Sequence, residues 1–240
     1  MENPPLSVRH LQSSCRQLKP AFLNRRNSTT MNTIEAIHHR ISANKFDTTR
    51  SLSEAEIQEL VQLATEAPSS LNIQHWRFVA VTKTEDKTRL KAVAFDQQKV
   101  VDAPVVFIVL GDLRGHEKLA AALEPLVVAG TFDRKMADGW LGAAGHLYGS
   151  NLQMARDEAI RSASLAAMTL MLAAEAKGMA SGPMIGFDPD GVRREFQIPD
   201  RYVPVMLLPV GYASVGNWAR KPRFALNDVL FLGSGQDLPA

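Results

Sequence analysis

Residues 67–78 read APSSLNIQHWRF. Pro68 has no N–H to donate and disfavours helical backbone at Ala67, so a preceding helix must stop here. Ser69, Ser70, Asn72 and Gln74 then fall in an irregular segment whose side-chain donors and acceptors are not consumed by helix bonding. Trp76 and Phe78 alternate as the inward face of a strand does. The stretch predicts a helix, a loop suited to a flat polar ligand, and then a strand. A plain helix-to-strand loop with polar caps has the same outline, so the neighbouring residues decide between the two.

Toward the amino terminus a helix leads into this loop. Ser53 and Glu56 form its capping box, and Ile57, Leu60, Val61 and Ala64 supply an apolar stripe. Before it, residues 32–39 predict a first helix with Ile34 and Ile37 on one face, running into HRISANKFD. Arg40, Ser42 and Asn44 alternate there, and alternate side chains of an extended segment share one side. A guanidinium, a hydroxyl and an amide so placed could jointly hold a phosphate and a polyol chain; a capping cluster with a solvated arginine is the plainer alternative.

Toward the carboxyl terminus, residues 84–94 predict a short helix, followed by FDQQKVVDAP. PVVFIVLG at 104–111 is an unbroken β-branched run, the pattern of a strand covered on both faces. Residues 112–148 read as less regular and include the Gly-rich patch DGWLGAAGHLYG. Neither GxGxxG nor GxxxxGK occurs, so no Rossmann or P-loop phosphate site is indicated. Residues 152–176 predict a long helix, apolar on nearly all sides after Ser162, buried either centrally or in a dimer interface, with Gly178 as its cap. In GPMIGFDPDGVRREF, Gly182, Pro183 and Gly186 free the backbone for an unusual path, and Asp188 with Pro189 starts another helix. A last strand over 203–211 contains Pro209, which suits an edge or terminal position. In the tail, Lys221 and Arg223 flank Pro222 and present two cations from an extended backbone, an arrangement suited to a dianionic phosphate.

With 240 residues, 45% of them apolar and 22% charged, the chain has the composition of a soluble protein with one sizeable core. A net charge of +2, with scattered basic residues, gives no basic face for nucleic acid. The single cysteine, Cys15, leaves no internal disulfide framework, and the six histidines form no metal-binding pattern. The apolar run at 163–174 is shorter than the about 20 residues that span a bilayer, so no membrane segment is expected. Residues 1–30 are rich in Pro, Ser and Arg and carry one acid, Glu2; they read either as a transit peptide or as an extension preceding a domain at 31–240.

Four strings in order, HRIS, APSSLNIQHWRF, GPMIGFD and KPR, together resemble the FMN-dependent nitroreductase family, in particular its branch of bacterial nitro-compound and quinone reductases. The resemblance implies an α+β fold, a mostly antiparallel central sheet flanked by helices, in an intertwined homodimer located in the cytoplasm. It implies that Arg40, Ser42 and Asn44, with Lys221 and Arg223, hold the phosphate and ribityl chain of FMN. Asn44 stands where the family usually carries a base. Pro68, Ser69, Ser70, Asn72 and Gln74 would contact the flavin across the dimer interface, and Gln97 would lie near it. Pro183, Met184, Ile185 and Gly186 would pass along the isoalloxazine edge with the N–H near Ile185 facing N5; many members carry Glu where Ile185 stands. Phe132, Trp140 and Tyr148 are the candidates for stacking on an aromatic substrate. The implied activity is hydride transfer from NAD(P)H through FMN to a nitroaromatic or quinone by a ping-pong mechanism, with no catalytic side-chain acid or base. Reduction of an enone, an aldehyde or a halogenated phenol, or flavin binding without turnover, are the alternatives.

Overall fold

The computed structural model describes residues 31–235 and 238; the segment 1–30, with Cys15, lies outside the described residues. Helix α1 (Thr33–His39) is opened by a capping box between Asn32 and Glu35, and α2 (Glu54–Ala64) by the box between Ser53 and Glu56. Strand β1 (Trp76–Val81) follows the polar loop. Helices α3 (Thr84–Ala92) and α4 (Lys99–Asp102) lead to β2 (Val105–Asp112). Then come α5 (Leu119–Val128), α6 (Arg134–Ala144) and the long α7 (Leu152–Ala176). Strand β3 (Ala180–Ser181), helix α8 (Pro189–Glu195) and strand β4 (Tyr202–Gly211) complete the fold before an extended tail.

The four strands pair antiparallel in the order β1-β2-β4-β3. All eight residues of β2 are buried. Val105, Phe107 and Val109 pack with Trp76, Leu60 and the α7 alanines, while Val106, Ile108 and Leu110 pack with Leu90, Val100 and Val192. Both faces are therefore covered, as the apolar run predicts. Helix α7 by length and composition alone could cross a membrane. Here Ala159, Ala163, Ala166, Ala167, Leu170 and Ala174 are fully buried, which makes it a core helix. Its small side chains let the backbone approach β2 closely: a Cβ at Gly111 would meet the Ala159 carbonyl oxygen at 2.8 Å.

Three expectations change. Strand β4 lies between β2 and β3, so Pro209 is not on an edge strand. Its carbonyl accepts from the Gly182 N–H at 2.9 Å, and in an antiparallel strand a residue's N and C=O face the same neighbour. The donorless nitrogen thus turns toward β3, which is only two residues long. Residues 112–148 are not irregular, since α5 and α6 pack Leu119, Leu123, Ala137 and Ala144 with Tyr148 and Ala155. In α6, Ala137, Trp140, Leu141 and Ala144 do fall at helical spacing, but Gly139 and Gly142 between them read as a turn. On α1, Ala36 is the buried residue and Ile34 and Ile37 face outward.

Asp112, at the end of β2, is fully buried. Its carboxylate accepts from Arg201 Nε at 2.6 Å and Nη2 at 3.0 Å, from Arg77 Nη2 at 3.3 Å and from the Arg114 N–H at 3.0 Å. Burial opposes ionisation, but Arg201 and the Arg114 N–H outweigh it and hold the carboxyl below the usual range. Next to it His75 is fully buried, with Nδ1 2.8 Å from the Asp112 carbonyl oxygen. A carbonyl only accepts, so Nδ1 carries the proton of a neutral ring; burial lowers the imidazole pKa.

Asp112→Ala, which removes the buried acceptor shared by Arg201, Arg77 and the Arg114 N–H, is expected to cost about 3 kcal/mol in urea unfolding. A loss under about 1 kcal/mol would show that the cluster is solvated. His75 has a folded pKa below its unfolded value, so unfolding takes up a proton that the folded ring refuses. Stability should therefore be complete above about pH 6.5 and fall as pH drops below it. Thermal melts of His75→Asn should lose this dependence; an unchanged profile would assign it to other groups.

Candidate active site

The Arg40-x-Ser42-x-Asn44 segment is extended, as its alternation predicts, because it is stitched on both sides. Ser42 bridges Ser181, and the Ala43 N–H donates to the Ser181 carbonyl at 2.9 Å. Gly182 is required at this crossing, since a Cβ there would stand 2.3 Å from the Ala43 carbonyl oxygen. From the tail, Asn217 Oδ1 accepts from the Asn44 N–H at 2.7 Å and the Lys45 N–H at 3.0 Å. Its Nδ2 donates to the Lys45 carbonyl at 2.8 Å and the Ser214 carbonyl at 2.9 Å. One amide side chain thus fixes where the tail runs.

The clasp brings Lys221 and Arg223 beside Arg40 and Ser42, as the motifs predict. Together with Trp218 and Arg220 they line a cleft of about 60 Å³. Arg40 Nη1 is buried there with no hydrogen-bond partner among the described residues. Burial first, and then the neighbouring Arg223, lower the pKa of its guanidinium. Arg223 does not extend freely: its Nη1 donates to the Lys221 carbonyl at 2.8 Å and the Pro222 carbonyl at 3.2 Å. Lys221 stands 5.2 Å from the Trp218 ring centre. Glu175 offsets part of this, but the buried Nη1 still lacks an acceptor, which an anion in the cleft would supply.

Further along the same side, Met184 buries its side chain and spends both its N–H and its carbonyl on Leu207, so it offers no polar group to a ligand. Pro183 is half-buried, and Ile185 is 81% exposed. Among the described residues the Ile185 N–H donates to nothing. Gln97 is not a free loop residue, because its Nε2 donates to the Gly186 carbonyl at 2.8 Å. It is aimed there by a sharp turn in which Phe95 and Asp96 have φ of 52° and 55°. Lys99, which no motif marked, reaches Asn44 Oδ1 at 3.4 Å. Burial and then Lys221 lower its ammonium pKa. Its position was unreadable because it depends on how α4 docks on the segment at 40–46.

The loop at 68–74 belongs to a second group. Leu71, Asn72 and Gln74 take positive φ of 50°, 55° and 57°. The Gln74 N–H donates to Ser69 Oγ at 2.9 Å, and Gln74 Nε2 to Asn72 Oδ1 at 3.3 Å. Ser70 Oγ and Tyr148 OH are 2.6 Å apart, and the Ser70 N–H donates to Glu158 at 3.4 Å. Pro68 and Asn72 are exposed. Glu158 lies near the start of α7, whereas Glu175, which faces Arg40, lies near its end. At about 1.5 Å of rise per residue the two stand about 25 Å apart. Within one chain the loop and the cationic cleft are therefore not brought together. Phe132 and Trp140 pair edge-on with each other at 5.0 Å, and Tyr148 is buried. All three aromatic candidates pack within the chain.

The sequence profile of the nitroreductase family matches residues 37–212. Bacillus subtilis YodC, named as an NAD(P)H nitroreductase, is 39% identical over 182 residues, covering 76% of this chain and 90% of that protein. A Lactiplantibacillus plantarum protein named CLA biosynthesis enone reductase is 27% identical, over 75% of this chain and 85% of its own. A nitroreductase of Exiguobacterium sibiricum, solved in complex with FMN, superposes with a TM-score of 0.79 at 31% identity, over 86% of this chain and 99% of that one. The profile covers both strands of the central pair, the stitched segment at 40–46 and the GPMIG turn, and the antiparallel sheet between helices is the architecture these relatives share. The chain is a member of the nitroreductase family of oxidoreductases.

Proposed function

We propose that this protein works as a cytoplasmic homodimer that binds FMN and passes reducing equivalents from NAD(P)H to a nitroaromatic or quinone by a ping-pong cycle. The observation that carries the reading is the buried, unpartnered Arg40 Nη1 in a cleft with Arg220, Lys221 and Arg223. That donor set fits a phosphate dianion, and the complex of a family member with FMN supplies the ligand class.

FMN when bound supplies the redox chemistry, accepting hydride from the nicotinamide and returning it to the oxidant. The chain's own residues bind and orient. Arg40, Lys221 and Arg223 neutralise the phosphate, and Ser42 offers a hydroxyl beside them. Asn44 brings no charge, but Lys99 resting on it restores a cation beside the segment that would hold the phosphate and ribityl chain. The Ile185 N–H is an uncommitted donor, and Gln97 fixes the adjacent Gly186 carbonyl so that this donor keeps its direction. Ile185 supplies no carboxylate, so the turn contributes a main-chain donor and an apolar surface rather than an acid.

The dimer follows from the separation of the two residue groups along α7: the loop at 68–74 serves the cleft of a second subunit. Ile34 and Ile37 on α1, Leu165 and Met168 on α7, and Phe224 in the tail are exposed apolar side chains that a partner would cover. The likeness to an enone reductase makes a conjugated enone the second acceptor class to test.

Purified protein should show flavin absorption that bleaches anaerobically on adding NADPH or NADH, and a nitroaromatic or quinone should restore it. Bands that persist with both nucleotides would reduce the reading to flavin binding. Arg40→Ala should weaken FMN binding by roughly 10- to 100-fold, the scale of one charge-assisted hydrogen bond. Unchanged affinity would remove the phosphate from this cleft. In sedimentation FMN should travel with the dimer, and a flavin-loaded monomer would contradict the shared site.

A further inference from the structure

A second cavity, of about 380 Å³, opens between the turn after β2 and the first turns of α7. That volume suits a small organic ligand. None of the residues assigned above to the flavin lines it. Its apolar wall is Leu113, Tyr148, Leu152 and Ala155, and Leu152 is 84% exposed at its margin.

The charges in this wall do not cancel. Glu117 is paired with Arg201 at 3.2 Å, and Arg201 is also held by Asp112, while Asp200 is paired with Arg193. Each acid there is thus already satisfied. Arg114 and Arg156 also line the cavity, and among the described residues neither guanidinium has a hydrogen bond or an ion pair. His116 adds a buried Nδ1 without a partner. Two free guanidiniums over an apolar wall make a surface for a ligand with one anionic end and one greasy end.

We propose that this cavity binds a small amphipathic organic anion, a carboxylate on an aliphatic or aromatic body. The body lies against Leu113, Tyr148 and Leu152, and the carboxylate meets Arg114 and Arg156. A nucleotide phosphate is a poorer match, because the wall is mostly apolar and the two guanidiniums carry less positive charge than the four cations around the Arg40 cleft.

The test is calorimetric titration of the FMN-loaded protein with octanoate, beside 1-octanol as the neutral analogue. The expected result is one saturable site per chain for octanoate, with 1-octanol weaker by about tenfold or more. Arg114→Ala/Arg156→Ala should lose octanoate binding by a similar factor while keeping its FMN content and melting temperature. If that double variant melts early, Leu152→Asp, at an exposed position, gives the same readout through the apolar wall. No saturable heat, equal binding of octanol, or binding unaffected by both variants would overturn the proposal. Displacement of octanoate by NAD(P)H or FMN would do so too, by placing it in the flavin site. The titration reads binding without turnover, so its failure leaves the reductase reading standing, and the converse holds.

Discussion

The close approach of an alanine face to a glycine-bearing strand is the constraint on which the rest of this structure depends. Helix α7 lies against β2 with Ala159, Ala163, Ala166 and Ala167 fully buried, and Gly111 leaves no room for a side chain between them. Larger residues would hold the backbones further apart and open voids on that face of the sheet. Because α7 is long and rigidly seated, it fixes two distant places at once. Near its start Glu158 holds the Ser70 N–H, and near its end Glu175 faces Arg40.

Buried charge is handled in two ways, and the contrast separates structure from function. Asp112 is surrounded by Arg201, Arg77 and a main-chain N–H, and Lys87 donates to the carbonyls of Val101 and Ala103 at 2.9 Å each. Those groups are satisfied within the chain and hold the β2 end and the α3–α4 corner. Arg40 is half-buried beside further cations, and its buried Nη1 has no partner among the described residues. The phosphate of the proposed FMN would complete that group. At the other end of α7 the buried His116 Nδ1 likewise lacks a partner among the described residues, beside the exposed guanidiniums of Arg114 and Arg156 in the second cavity.

Much of the fold was legible because its signals are local. The capping box at Ser53, the apolar run of β2, the boundaries of α7 and the Asp188 cap all depend on residues within one or two turns of each other. Two elements escaped for the same kind of reason. In α6 the stripe of Ala137, Trp140, Leu141 and Ala144 has helical spacing, but Gly139 and Gly142 disfavour a helix until it packs with Leu119 and Leu123. Pro209 reads as an edge residue only if β3 is a full neighbour, and how short β3 is cannot be told from β4.

For the candidate site, the sequence by itself determined which side chains were available and that they sit on extended or irregular backbone. Proline, glycine and alternation act over a few residues and need no partner. Only the tertiary structure decided which of them meet. The Asn217 clasp sets Lys221 and Arg223 beside Arg40, α4 delivers Lys99 to Asn44, and Gln97 reaches Gly186 across 89 positions of chain. It also decided that the loop at 68–74 lies away from the cleft, at the other end of α7. Contacts between residues so far apart are set by helix docking and strand register, which arise when the whole core closes and leave no local trace in the order of amino acids.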